Sequence, residues 1–140
     1  MRIVVGVSVI KDGKILLIQE AKEKVRGQWN FPAGHLDDNE YIADAAVREM
    51  KEETGYDVKL KNLVGIFSSN NERPHFVIFG GEIVSGELEL DPEEILDARW
   101  VPLSELGKYQ LRMPKIIFDE VIRISEGGEA FTLDIIKEIR

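Results

Sequence analysis

The sequence predicts an α/β fold in which a mixed sheet is sandwiched between helices, and three observations carry that expectation. The chain opens on alternating apolar residues broken by a turn. A strongly helical stretch follows early, and strand-like runs then return and end in a second, amphipathic helix. Ile3, Val5, Val7 and Val9 alternate with Val4, Gly6 and Ser8; Asp12-Gly13 supplies turn chemistry, and Ile15 to Ile18 returns as the second arm of a hairpin. A charged loop from Glu20 to Gln28 leads into WNFPAG, where Pro32 and Gly34 are expected to prevent regular structure. The first helix is expected from about Glu40 to Thr54, rich in alanine and glutamate, with Gly55 as the residue that ends it. Strands are expected over Asp57 to Phe67, His75 to Val84 and Leu96 to Val101, separated by the polar SSNNERP and the acidic SGELELDPEE. A turn at Pro102-Leu103-Ser104-Glu105-Leu106 and a helix near Met113 to Ser125 complete the core. No repeat, low-complexity tract or linker breaks the pattern, so residues 1–140 are expected to form one domain.

With 140 residues and 44% hydrophobic content, the chain is long enough to bury a core without staples. It has no cysteine, which excludes disulfides and thiolate chemistry. Nor does any apolar run approach the roughly 18 residues needed to span a bilayer, so a soluble, unprocessed, cytoplasmic protein with no membrane partner is expected. The 26 acidic and 18 basic residues leave a formal charge of −8, which disfavours nucleic-acid polymers as partners. That field also opposes any small phosphorylated ligand unless bound divalent cations neutralise the acidic groups.

The first helix concentrates the chemistry. At roughly 100° per residue from Ile42, the residues Ala43, Ala46, Val47, Met50 and Thr54 fall between about 40° and 140° and are expected to form the buried stripe. Glu53 lies near roughly 20°, Glu49 near 340° and Glu52 near 280°, beside that stripe and converging on one spot. Such like charges repel by about 0.2–0.5 kcal/mol per pair, and the helix C-terminus adds negative potential. Arg48 and Lys51 are expected to point roughly 100° or more from Glu49 and Glu52 and so to leave the cluster uncompensated as a whole. A hard divalent cation with oxygen ligands would compensate it, and Mg²⁺ is the usual ion where a substrate brings phosphate oxygens. Taken alone, ExxEE is more often a solvated helix face, so its context decides.

That context runs GHLDDNEYIADAAVREMKEETGY from Gly34, and it resembles the box of the Nudix (MutT-related) hydrolases, Gx5Ex7REUxEExGU, with Gly34, Glu40, Arg48, Glu49, Glu52, Glu53 and Gly55 at the fixed positions. Met50 fills the bulky aliphatic position, Tyr56 replaces the commoner aliphatic residue at the last one, and Asp38-Asn39 stands where many members have an acidic residue and glycine. WNFPAG, RWVPLSEL and the strand order extend the resemblance over essentially the whole chain. WNFPAGHL, ARWV and LRMP are more narrowly similar to phosphatases of nucleoside di- and triphosphates and of a thiamine-pathway pyrimidine pyrophosphate.

The resemblance implies the Nudix fold, an α/β/α sandwich, and Mg²⁺-dependent hydrolysis of a phosphoanhydride, with Mn²⁺ as a substitute ion. The substrate implied is a nucleoside di- or triphosphate or a related small organic pyrophosphate. Dinucleotide or ADP-ribose pyrophosphatase activity is the alternative, and a non-catalytic Nudix-fold binding module is a further one. By the same resemblance Glu49, Glu52 and Glu53 bind metal with the carbonyl of Ala33 or Gly34, while Glu40, Arg48 and Gly55 support the site. Glu94, with Glu93 as its rival, is the candidate ligand or base outside the box, and Glu52 or Glu53 could itself be the base. Arg26 and Arg73 are candidates to clamp phosphate through their guanidinium forks. Tyr109, Gln110 and Arg112 stand where relatives recognise the leaving moiety. Trp29 and Phe31 are expected to pack, and His35 and His75, lacking ligand spacing, to be structural. The partner is then a small phosphorylated metabolite or nucleotide, and a homodimer is left open.

Overall fold

The computed structural model describes residues 1–70 and 72–140, so within SSNNERP the position Asn71 lies outside the described residues. In chain order the strands are β1 (Ile3–Lys11), β2 (Lys14–Glu20), β3 (Trp29–Asn30), β4 (Ala33–His35), β5 (Tyr56–Phe67), β6 (His75–Gly86) and β7 (Ile95–Pro102); the α-helices are α1 (Ile42–Thr54) and α2 (Lys115–Ser125). The opening hairpin forms as its alternation predicts, with Asp12 (φ 52°) and Gly13 (φ 73°) supplying the left-handed turn. β1 and β2 pair only at Ile10↔Ile15 and Lys11↔Lys14. Away from the turn each takes other neighbours. β1 pairs parallel with β6 and antiparallel with β4, while β2 pairs antiparallel with β3 and β7. β5 completes the far edge against β6, and the sheet is mixed as expected.

α1 packs on β1, β4 and β5, and α2 packs on β5. Two buried clusters follow, because successive strand residues point to opposite faces. Ile78 lies with Phe31, Ile117 and Phe118 in one cluster; Phe79 lies with Val5, Val7, Ala46 and Met50 in the other.

The structure corrects the sequence reading in several places. WNFPAG is not irregular. It forms β3 and β4, with Pro32 at the connection, where a missing N–H costs nothing and its carbonyl accepts from the Val7 N–H at 3.0 Å. In α1, Val47 is exposed and Ala45 is buried with Ala46, Met50 and Thr54. The buried face therefore centres near roughly 30° on the helical wheel, so Glu49 and Glu53 lie within it rather than beside it. The residues after α2, which carried no expectation, also pack: Leu63 and Phe131 exchange N–H···O bonds at 2.9 and 3.0 Å, and the Tyr41 hydroxyl donates to the Ile139 carbonyl at 2.8 Å. Among the described residues, no helix is long and apolar enough to cross a membrane.

Candidate active site

A cleft of about 780 Å³ is lined on one side by β4 and the last turns of α1, and on the other by the end of β2, the 91–94 loop and residues 112–113. Ala33, Gly34, Glu49, Glu52 and Glu53 all face it, so the structure assembles the predicted ligand set on one wall. Close approach of β4 to α1 makes this convergence. A Cβ built on Gly34 would overlap the Glu49 carboxylate, so only glycine leaves that carboxylate its place.

Arg48 orders the rim. Its Nε and Nη2 donate to the two Glu40 oxygens at 2.7 and 2.9 Å, Nη2 also to the His35 carbonyl at 3.1 Å, and Glu40 in turn accepts the Asp37 N–H at 3.1 Å. The pair thus ties the loop before α1 to the helix, and the guanidinium holds the Glu40 carboxyl below its ordinary range. Asn39 adopts φ 62° in this loop, a left-handed geometry that asparagine tolerates. Gly55 ends α1 at φ 84°, with its N–H donating to the Lys51 carbonyl at 2.9 Å.

Arg48 also reaches part of the carboxylate cluster, though, as expected, not the whole of it. Its Nη1 donates to Glu49 at 2.8 Å and to Glu52 at 3.2 Å, because a guanidinium on a long flexible stem reaches round the helix despite its Cα direction. Lys51 does point away, toward Asp57 and the Gly55 carbonyl. Among the described residues no lysine or arginine is ion-paired to Glu53.

Glu53 is held instead by the Ala33 N–H, which donates to its Oε1 at 2.7 Å. The ladder explains that bond. The Pro32 carbonyl and the Leu36 N–H both face β1, so by antiparallel alternation the Gly34 peptide groups face β1 too, and those of Ala33 turn away toward α1. Ala33, rather than Gly34, therefore has the free carbonyl. Burial pushes the Glu53 carboxyl well above the usual carboxylate range; the Ala33 N–H opposes this, and the charges of Glu20 and Glu49 add to it. Burial likewise raises Glu49, against the pull of Arg48.

Among the described residues no three acidic or histidine groups already form a closed cation cage. The donor set nonetheless fits a hard divalent ion: it is all oxygen, it combines carboxylates with a carbonyl, and two of its carboxylates sit where burial disfavours their charge.

Outside the box, Glu94 lines the cleft and pairs with Lys22 at 3.2 Å, whereas Glu93 does not line it and gives its N–H to Asp91 at 3.0 Å. Arg73 and Arg112 also line it. Arg26 does not; its guanidinium donates to the Ala21 carbonyl at 2.9 Å and closes its own loop. Tyr109 and Gln110 stay out of the cleft as well, Tyr109 packing edge-on against Trp29 at 5.4 Å and Gln110 giving its carbonyl to the Trp29 N–H at 2.8 Å. Trp29 and Phe31 are buried, and His75 accepts the Ser69 N–H at 3.1 Å, a structural role. His35 lines the cleft. Sequence reasoning missed Glu20 and Asn30, which are buried on the cleft wall. One signal was available for Glu20: alternation from Leu16 and Ile18, both buried, places it on their face.

The chain matches the NUDIX domain family over residues 1–119. It is 34% identical over 113 residues to an ADP-ribose pyrophosphatase of Methanocaldococcus jannaschii, covering 78% of this chain and 66% of that protein. It is 35% identical over 107 residues to the human 8-oxo-dGDP phosphatase, covering 74% of this chain and 33% of that protein. The match thus spans about two thirds of the first relative's length and a third of the second's. Of solved structures, a NUDIX hydrolase from Nitrosomonas europaea aligns with a TM-score of 0.85 at 27% identity, covering 99% of this chain and 97% of that one. An ADP-ribose pyrophosphatase from Streptococcus suis aligns with a TM-score of 0.77 at 25% identity, covering 94% and 96%.

Proposed function

This chain belongs to the Nudix family, and from that premise we propose that it is a divalent-metal-dependent hydrolase of a phosphoanhydride bond in a nucleoside di- or triphosphate or related small organic pyrophosphate. One observation carries the reading: the Ala33 N–H bond to Glu53, together with the contact of Gly34 on Glu49, brings the box carboxylates and a free backbone carbonyl to one cleft wall. Glu49, Glu52, Glu53 and the Ala33 carbonyl would hold the ions. Bound there, Mg²⁺, or Mn²⁺ in its place, would supply neutralisation of phosphate charge and a lowered pKa for the attacking water. Arg73 and Arg112, which both line the cleft, bind the phosphate chain, their forked donors suiting phosphate oxygens. The proton of the attacking water passes to a cleft carboxylate, Glu94 first and Glu52 or Glu53 otherwise, with Lys22 fixing the orientation of Glu94.

A second reading is hydrolysis of ADP-ribose or a dinucleotide, and the likeness to the Methanocaldococcus and Streptococcus ADP-ribose pyrophosphatases supports its ADP-ribose form. The two differ in product. A Mg²⁺-dependent panel of nucleoside di- and triphosphates, dinucleotides, ADP-ribose and pyrimidine pyrophosphates separates them: orthophosphate supports the first reading, AMP from ADP-ribose supports the second, and no turnover of any member refutes both.

A further inference from the structure

We propose that Glu20 is a positioning residue that holds Arg112 in place on the cleft wall, so that the guanidinium presents its remaining donors to the phosphate chain opposite α1. Glu20 ends β2, where the β2–β7 ladder slips by one residue after Gln19; such irregularities beside a site set the direction of a side chain. Its side chain is 7% exposed, and a carboxylate so removed from water is costly unless paired. The partner is Arg112, with Nη1 at 3.3 Å from Oε1, and Arg112 itself remains 45% open on the cleft. Glu20 engages one edge of the guanidinium and leaves the others free for a ligand.

The frame behind the pair is backbone, not mobile side chain. The Arg112 N–H donates to the Trp29 carbonyl at 2.9 Å, and the Glu20 N–H donates to the Gln28 carbonyl at 2.8 Å, so both residues hang from the same short stretch around β3. The pairing also settles a competition. Arg112 is near enough to Glu53 to act on its charge, yet the ion pair it makes is with Glu20, which leaves Glu53 to the cation. A pair that only stabilised the fold would have no reason to keep its arginine half-open beside the carboxylates of α1.

This inference rests on the reading of the cleft as a phosphate site, and the test separates the two. The binding of imidodiphosphate, a non-hydrolysable pyrophosphate mimic, is measured calorimetrically with Mg²⁺ for the whole chain, E20Q, R112A and E20Q/R112A. The expected result is a loss of about tenfold in each single variant, the size of one charge-assisted hydrogen bond, with the double variant no weaker than R112A. Unchanged binding in E20Q, or losses that multiply in the double variant, overturns the proposal. Should E20Q fail to fold, R112K decides: a held fork predicts a similar loss, and wild-type binding by lysine overturns it. Coupled losses in a chain that hydrolyses nothing on the panel would refute the reaction and uphold the pair; full hydrolysis with an indifferent E20Q would do the reverse; no binding by the wild type overturns both.

Discussion

The two walls of the cleft differ in charge and in how they are held. On the α1 wall, Glu49, Glu52 and Glu53 stand within five successive residues of one helix, and a single guanidinium, Arg48, ties two of them to the loop before it. On the facing wall, Lys22 and Arg112 come from distant segments, and each carries an acidic partner of its own: Glu94 for Lys22 and Glu20 for Arg112. The first wall concentrates repulsion that a cation would relieve; the second sets its cations among carboxylates, in pairs that balance their charge and fix their direction. Acidic side chains outnumber basic ones along the whole lining, so the cleft keeps the sign of the chain's net charge of −8 and a phosphorylated ligand depends there on bound cations.

Replacing Glu53 should give the largest effect. Glu53→Gln is expected to lower metal-dependent turnover on the order of a hundred- to a thousandfold in steady-state assays, with circular dichroism unchanged. It should also change the response to pH. The folded chain raises the Glu53 carboxyl above its ordinary value of 4.5, so the proton is held more tightly folded than unfolded. The stability this gives is present at low pH and lost as pH rises from 4.5 through the higher folded value. In chelator, the thermal midpoint of the wild type should therefore fall relative to that of E53Q across that window, and Mg²⁺ should restore the wild type more than the variant. Next comes Gly34→Ala, whose Cβ displaces the Glu49 carboxylate; about a hundredfold loss of turnover is expected, a cost typical of small misplacement at a site. Arg48→Ala acts on the support, and a stability loss of about 1–2 kcal/mol in urea unfolding is expected, discounted because Glu52 and Asp37 are well exposed. Arg26→Ala should do least, within about 0.5 kcal/mol in stability and without change in turnover, because Arg26 only braces its own loop.

The unequal legibility of the walls has a physical basis. The α1 wall is local: a spacing of three and four residues converts directly into one helix face, and Gly55 and the Glu40–Arg48 pair lie within a turn or two of it. Even there, Cα directions gave no hint that the long Arg48 side chain reaches Glu49 and Glu52, and the angular argument set Glu49 and Glu53 beside the buried stripe rather than within it. The sheet and both helices were legible for the same reason, their periods being local. WNFPAG was not, because its two short strands exist only through β1 and β2. The facing wall required contacts between Glu20 and Arg112, far apart in the chain, which no local pattern encodes. Arg26, Tyr109 and Gln110 lay near the right segments and face elsewhere, a choice made by the Arg26 guanidinium bond to the Ala21 carbonyl, the packing of the Tyr109 ring on Trp29 and the Trp29 N–H bond to the Gln110 carbonyl.

The account turns on the α1 carboxylates as cation ligands. Calorimetric titration of Mg²⁺ into the wild type and into E49Q, E52Q and E53Q tests this most directly. Binding by the wild type that weakens about tenfold or more in each variant, all of them folded, is the predicted result. Equal affinity in all four proteins would contradict it.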